Sequence, residues 1–370
     1  VPAWIKRLAH ERLLIAFALL AIALAIIDPQ PLATHQRWLQ VPTLAGLLGL
    51  MICIQGIRDS GLVQHAAAAL IERVHSLRGL GVLLVSATAL LSMVLTNDVS
   101  LFLLVPLTLA IGSISNLPVM RTVVLEALAV NAGSTLSPIG NPQNLLLWQY
   151  THLPFLEFVQ KMLPAFGVMF LLVLLLTLVW MPRDRVILHA EDIDGHPVSS
   201  SQAILSVLAL ISMVVMMEHN HAVIGALLLL VPFALLEFGT LRRIDWLLLA
   251  TFAAIFLGLG HFAELASVQH ALANINLENP LTLYASGILA SQVISNVPAT
   301  VLLLRHAPDP MALAVAVNVG GFGVAIGSLA NLIALRLAKQ PRGMRLLHAV
   351  SIPFLLVCAP LVYLVTRWLT

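Results

Sequence analysis

A stretch of fourteen residues occurs twice in this chain, each time as a polar, glycine- or proline-rich interruption of an apolar run. Asn131-Ala-Gly-Ser-Thr-Leu-Ser-Pro-Ile-Gly-Asn-Pro-Gln-Asn144 aligns without a gap on Asn318-Val-Gly-Gly-Phe-Gly-Val-Ala-Ile-Gly-Ser-Leu-Ala-Asn331. Asn131 falls on Asn318, Gly133 on Gly320, Ile139-Gly140 on Ile326-Gly327 and Asn144 on Asn331. A helix interrupted in hydrocarbon leaves backbone groups that neither the helix nor water satisfies. Such breaks persist only where protein or a cavity surrounds them. Interruptions at corresponding places in two halves are the sequence mark of a secondary transporter's binding site.

Composition agrees. Soluble domains carry about 25% charged residues, whereas this chain of 370 residues carries 10%, with 60% hydrophobic residues and a mean hydropathy of +0.98. It reads as an all-α polytopic membrane protein of about 11 membrane segments. The net charge of +2 gives no reason to expect nucleic acid. Cys53 and Cys358 stand alone in apolar stretches and read as small core residues. Residues 13–27, behind Lys6, Arg7 and Arg12, are expected to be a retained first helix, because no small-x-small cleavage site follows Asp28.

Two more apolar segments, 79–115 and 280–304, carry polar tips in mid-run: Thr96-Asn97-Asp98 and Ser295-Asn296. Each is expected to be a re-entrant hairpin, with broken helices at 119–150 and 311–337. With the N-terminus cytoplasmic, fifteen of the 19 basic residues fall on the cytoplasmic side. Arg37, Lys161, Arg305 and Arg367 lie outside. Reading either hairpin as one straight span would spoil that bias.

The halves then align as inverted units, 1–181 and 222–370, joined by a solvated linker at 182–200 and an extra span at 201–221. Within the hairpins Leu90-x-Ser92-x-Val94-x-x-Asn97 matches Leu289-x-Ser291-x-Val293-x-x-Asn296. The connecting arms 60–78 and 261–278 share Val-Gln-His-Ala and read as amphipathic interfacial helices. Trp38, Trp148, Trp180, Trp246 and Trp368 lie near span ends, as interfacial anchors do.

Tips and breaks expose carbonyls and amides that can ligate a dehydrated cation or hold an anion at half-helix N-termini. Asparagine adds donor and acceptor without a permanent charge. Candidate ligands in the first half are Thr96, Asn97, Asp98, Ser134, Thr135, Ser137, Gly140, Asn141 and Asn144, with Ser100 adding a hydroxyl. The second half offers Ser295, Asn296, Thr300, Gly321, Gly327, Ser328 and Asn331. Asp98 is the sharpest of these, since an ionised acid inside a membrane is costly and therefore functional by default. Val297 occupies its place in the second hairpin, so the fold does not require the charge. Glu126, opposite Leu313 of the second half, is a weaker proton-linked candidate.

Glu218-His219-Asn220-His221 reads as a solvated turn rather than a metal cluster. Gly320-Gly321-x-Gly323 lacks the strand of a nucleotide fingerprint, and neither a Walker lysine nor H-E-x-x-H occurs. An enzyme is therefore not expected, and no cofactor or metal, with protons or sodium as the candidate coupling ions. A membrane scaffold or partner subunit is the reading from outside transport.

The tips, Ser137-Pro-Ile-Gly-Asn-Pro-Gln-Asn144, Ser295-Asn-Val-Pro-Ala-Thr300 and Ile326-Gly-Ser-Leu-Ala-Asn331 together resemble the ion transporter superfamily. Its members include the arsenite-pump membrane subunit ArsB, the NhaD-type sodium/proton antiporters and the citrate and dicarboxylate/sodium symporters. Compact YbiR-type inner-membrane transporters are nearest in length and wording. The resemblance, from about residue 35 onward, implies inverted repeats with hairpins from opposite sides. It also implies that the tips and breaks bind coupling ion and substrate, in an elevator mechanism, through Asn97, Asn144, Asn296 and Asn331. Carboxylate symporters carry Ser-Asn-Thr at both tips. Thr-Asn-Asp here is closer to the arsenite-pump and antiporter branches.

The expected function is thus proton-linked movement of a small inorganic ion, arsenite-like oxyacid or cation across a bacterial inner membrane by alternating access. Sodium-coupled uptake of citrate or dicarboxylate anions is the alternative. The expected partners are a small ion or small-molecule substrate and membrane lipid. A homodimer is left open.

Overall fold

Prolines mark where helices start. Pro31, Pro118 and Pro154 cap helices and Pro142, Pro280 and Pro310 open them, where a missing N–H costs nothing. Side chains finish the job: Asn279 accepts from the amides of Leu281 and Thr282, and Asp309 from those of Met311 and Ala312.

The computed structural model describes residues 12–62, 65, 74–187, 198–219, 221–304, 306–340 and 342–369. Its helices run in chain order as α1 Arg12–Ile27, α2 Leu32–Leu39, α3 Val41–Asp59, α4 Leu77–Val94, α5 Asn97–Ile114 and α6 Val119–Ser134. There follow α7 Pro142–Thr151, α8 Phe155–Trp180, α9 Ser200–Glu218, α10 Ala222–Leu236, α11 Phe238–Arg243 and α12 Trp246–Glu264. The last are α13 Ala266–Ala273, α14 Pro280–Ile294, α15 Asn296–Leu304, α16 Pro310–Val319, α17 Leu329–Ala338 and α18 Gly343–Leu369. No strand occurs among the described residues, only an isolated bridge between Ser76 and Arg185. Seven helical segments among them are long and apolar enough to cross a membrane, and shorter apolar helices accompany these. The chain is an all-helical polytopic membrane protein. Most of the arm expected at 60–78 and of the linker at 182–200 lies outside the described residues.

The chain divides into two compact units. The first comprises residues 1–60 and 200–275. In it α1 packs along α12 and α10 along α3, so the opening helix of each half lies on the second helix of the other. Helix α9 covers another side of α3, where Met213 and Met217 lie against Gly49 and Gly46. Close backbone approach over small residues is how helices associate without a hydrophobic drive. Arg37, just ahead of α3, pairs with Glu264 at the end of α12 at 2.6 Å. Arg243, just ahead of α12, pairs with Asp59 at the end of α3 at 2.8 Å. One expectation changes here. Trp38 is buried rather than anchored at an interface, because its ring stacks on His261 at 4.4 Å.

The second unit comprises residues 61–199 and 276–370 and holds both hairpins and both broken helices. Helices α4 and α5 meet at Leu95–Thr96, and α14 and α15 at Ser295. At 1.5 Å per residue the arms of the first hairpin reach about 27 Å. The start of the linker is more ordered than the sequence leads one to expect. Residues 184–187 exchange backbone bonds with His75, Leu77 and Asn116 at the base of that hairpin. An extended strand of loop thereby satisfies polar groups that the hairpin ends leave open.

Candidate functional site

Helix α6 stops at Ser134, and Pro138 and Pro142 cannot supply the donors needed to continue it. Asn141 restarts the chain as α7 by accepting from the amide of Asn144 at 2.9 Å. In the second half α16 ends at Val319 and Gly320-Gly321 begin the break. Gly323 has φ of 95°, a backbone state that favours glycine. A short 3-10 turn, Ala325–Gly327, leads to Ser328, whose Oγ accepts from the amide of Ala330 at 3.3 Å and caps α17.

The two breaks hold each other by exchanged bonds. Asn131 Nδ2 donates to Asn331 Oδ1 at 2.9 Å, and the equivalent pair, Asn318 Nδ2 to Asn144 Oδ1, stands at 2.6 Å. Asn131 and Asn318 also donate to the carbonyls of Ala127 and Ala314, one turn back in their own helices. Asn144 reaches the carbonyl of Ser134, and Asn331 reaches that of Gly321, its repeat position. Segment one does to segment two what two does to one, the contact pattern of a local two-fold. Each of these amides is buried. Asn141 adds a further link, donating to Asn318 Oδ1 at 2.8 Å and to Ser134 Oγ at 3.1 Å.

The hairpins dock onto the breaks with the same correspondence. A Cβ on Gly133 would collide with Ala89 and Ser92 of α4, and one on Gly320 with Ile288 and Ser291 of α14. These are matched positions of the two hairpins. The first tip is held by its main chain: Asn97 N–H donates to the Gly140 carbonyl at 2.8 Å, and Ser137 Oγ to that of Met93 at 2.6 Å. The second break is instead clamped by Gln292, whose Nε2 donates to the carbonyls of Gly320 and Phe322 at 2.7 and 3.0 Å. Ser295 sits at the second tip with φ of 71° and ψ of 155°, a region essentially reserved for glycine. Such strain costs of order 1–3 kcal/mol and gathers at functional sites.

The sequence candidates therefore divide into two sets. Asn144 and Asn331 spend their side chains inside the network, with Ser134, Thr135, Ser137 and Gly321 serving through their carbonyls. Gly140 receives the tip, and Gly327 lies against the backbone of Gly320 and Phe322. Thr96 caps α5 by accepting from the amide of Val99, Ser100 Oγ donates to the Thr96 carbonyl, and Thr300 Oγ1 donates to that of Asn296. The tips keep open groups. Neither Nδ2 of Asn97 nor that of Asn296 donates to a protein acceptor among the described residues, and the half-buried carboxylate of Asp98 has no partner there. Glu126 lies away from the break, fully buried, with Oε1 accepting from Thr108 Oγ1 at 2.6 Å and Oε2 unpartnered among the described residues.

Sequence reasoning passed over Asn131 and Asn318 as site residues, although their alignment was the available signal. Gln143, whose buried Oε1 is unpartnered among the described residues, and Gln292 have no polar counterpart in the other half, so the repeat could not flag them. No lysine, arginine or histidine occurs in either break or tip. The assembly offers amides, hydroxyls, carbonyls and one acid: enough to strip water from a small cation or a neutral hydroxide.

Comparison with known proteins points to membrane transport. A family model described as citrate transporter matches residues 4–309. The inner membrane protein YbiR of Escherichia coli is 38% identical over 357 residues, covering 96% of this chain and 95% of its own. An uncharacterized transporter of Methanocaldococcus jannaschii is 33% identical over 88% of each chain. A silicon efflux transporter of Oryza sativa subsp. japonica is 30% identical over 148 residues, 40% of this chain and 30% of its own.

Proposed function

The chain belongs to the citrate transporter family, and from that premise we propose that this multi-pass membrane transporter exchanges a small inorganic ion or arsenite-like oxyacid for protons across the inner membrane by alternating access. The observation that carries the reading is the division of labour in the second unit. Four asparagines lock the breaks together, while the tips present the open Nδ2 groups of Asn97 and Asn296 and the unpartnered carboxylate of Asp98. A cargo without multiple negative charges suits that set, because no basic side chain stands in it. Asp98 is the residue that trades a proton for the cargo.

On this reading the two halves are inverted repeats with the N-terminus cytoplasmic, and the unit holding tips and breaks is the transport unit. The similarity to a silicon efflux transporter supports a neutral hydroxide as cargo. A second reading, sodium-coupled movement of citrate-type anions, is favoured by the description of the family. Helix N-termini at the breaks could hold a carboxylate without any cation.

Flux into proteoliposomes under imposed proton or sodium gradients separates the two. Arsenite or silicic acid flux driven by a pH gradient, and abolished by Asp98→Asn, is the expected result. Citrate flux that depends strictly on sodium and ignores pH would overturn it in favour of the second reading.

A further inference from the structure

Three consecutive amides of the second break each donate to a side chain. Gly323 donates to Ser351 Oγ at 2.8 Å, Val324 to Gln292 Oε1 at 2.9 Å and Ala325 to His348 Nε2 at 2.9 Å. Their repeat positions in the first break are Leu136, Ser137 and Pro138. Leu136 satisfies its amide locally on the Gly133 carbonyl, and Pro138 has no N–H at all. The second break therefore carries a donor at Ala325 that the first lacks, and an imidazole from α18 meets it.

A backbone N–H can only donate, so Nε2 of His348 must carry a lone pair and the ring must be neutral, with its proton on Nδ1. An imidazolium has N–H on both nitrogens and would set donor against donor. The bond to Ala325 and a charge on His348 exclude one another. Imidazole is the side chain whose ordinary charge change falls between about pH 5 and 8.

The charged surroundings of the ring are few. Helix α18 packs on α6, α8, α16, α17 and the 3-10 turn, accepts a hydrogen bond from Tyr284 of α14 at the Ala359 carbonyl, and bears no acid itself. Its own titratable groups are Arg345, Cys358, Tyr363 and Arg367, with Arg345 three residues before His348. Facing elements contribute Arg121 and Glu126 from α6, Glu157 and Lys161 from α8, Asp309 at the start of α16, and Arg336 from α17. Glu157 and Lys161 pair with each other at 3.8 Å, Glu126 takes Thr108, Asp309 caps α16, and Arg121 donates to the Trp180 carbonyl. No carboxylate among the described residues bonds to the ring.

We propose that His348 is a positioning residue for transport: while neutral it pins the second break at Ala325, and on protonation it releases that amide, leaving Gly323 on Ser351 and Val324 on Gln292. Beyond Ala325 the chain leads into Ser328, which caps α17, and then Asn331, which ties the second half to Asn131. Protons would then act on both halves by different means, on the first through the open acid at its tip and on the second through the anchor of its break. The proposal rests on the transport reading only for its role. Amide exchange is read without cargo, so either can fail alone.

The test is hydrogen–deuterium exchange of the purified full chain from pH 5 to 8, corrected for the intrinsic rate, on peptides covering 320–328 and 133–141. In the parent protein, protection of the Ala325 amide is expected to fall about tenfold toward the acid end, as that one donor loses its acceptor. His348→Gln supplies an amide oxygen that cannot titrate and should hold protection level across the range. His348→Ala should lose it at every pH. The first-break peptide should not change in any of the three. Flat protection in the parent, an unaltered acid response in His348→Gln, or a parallel loss in the first break would each overturn the proposal.

Discussion

Both units are stitched by contacts exchanged between the halves of the chain, but in opposite chemistry. In the first, the exchanged contacts are ion pairs at helix ends. Arg37 with Glu264 is 62% and 39% exposed, and Arg243 with Asp59 is 57% and 15% exposed. In the second they are neutral amides, Asn131 with Asn331 and Asn318 with Asn144, buried where helices break. The difference follows from the cost of burial. A charge at a helix end keeps its water, whereas a charge between breaks must be compensated in full. Amides hold the interior together without filling it with fixed charge, and a mobile ion can then bring its own.

One acid from each unit gives the widest contrast. Asp98→Asn should reduce gradient-driven flux to background while leaving thermal unfolding nearly unmoved, because its carboxylate has no partner to lose. Asp59→Asn should do the reverse. Asp59 accepts from Arg243, Thr240 and Gln55, and weakening those bonds is expected to cost about 1–2 kcal/mol without touching transport. Paired flux and unfolding measurements decide it, and swapped outcomes would end the distinction between a structural and a working unit.

Next in size is the lock itself. Asn318→Ala leaves Asn144 Oδ1 without its donor and Asn141 Nδ2 with Ser134 alone, and should destabilise by about 2–4 kcal/mol. In a double-mutant cycle, Asn131→Ala with Asn331→Ala should couple by about 0.5–3 kcal/mol, whereas Asn131→Ala with Asn144→Ala should couple less, since those two share no bond. Equal coupling in both cycles would mean that the four act as one cluster rather than as two exchanged pairs.

Much of this was legible before any coordinates. Matched asparagines and glycines in two apolar runs located both breaks, while the matched Ser92 and Ser291 marked the hairpin repeat without announcing that they dock on those breaks. Helix starts fall at prolines and side-chain caps, which act locally, although the expected spans came from the apolar runs alone. What escaped depends on contacts remote in the chain. Nothing near Asn144 announces that Asn318 will occupy its oxygen, so asparagines that serve as staples looked like ligands. Gln292 and His348 lie outside the repeated words, and their bonds reach 32 and 23 residues along the chain. Trp38 looked like an interfacial anchor because the residue that buries it, His261, stands more than 200 positions away.

A smaller effect tests whether the working unit stores strain. Ser295→Gly removes the side chain from a backbone state that only glycine adopts freely, and should stabilise the protein by about 1 kcal/mol in thermal unfolding. Ser295→Ala keeps the strain and should give no gain. Equal shifts from both would show that the hydroxyl, not the backbone, was costly.

The smallest change is expected at the charged ends of the first unit, and its size is what makes it useful. Exposed ion pairs contribute about 0–1 kcal/mol and weaken in salt. Arg37→Met should therefore cost less than about 1 kcal/mol, and the loss should shrink further in 1 M salt as screening removes what the pair contributed. Arg243→Met should cost more, because Asp59 is the less exposed acid and keeps only Thr240 and Gln55 when the guanidinium goes. Equal, salt-independent losses at both sites would mean that the ends are held by buried packing rather than charge. The contrast between a unit tied by ions near water and one tied by amides in the interior would then fall.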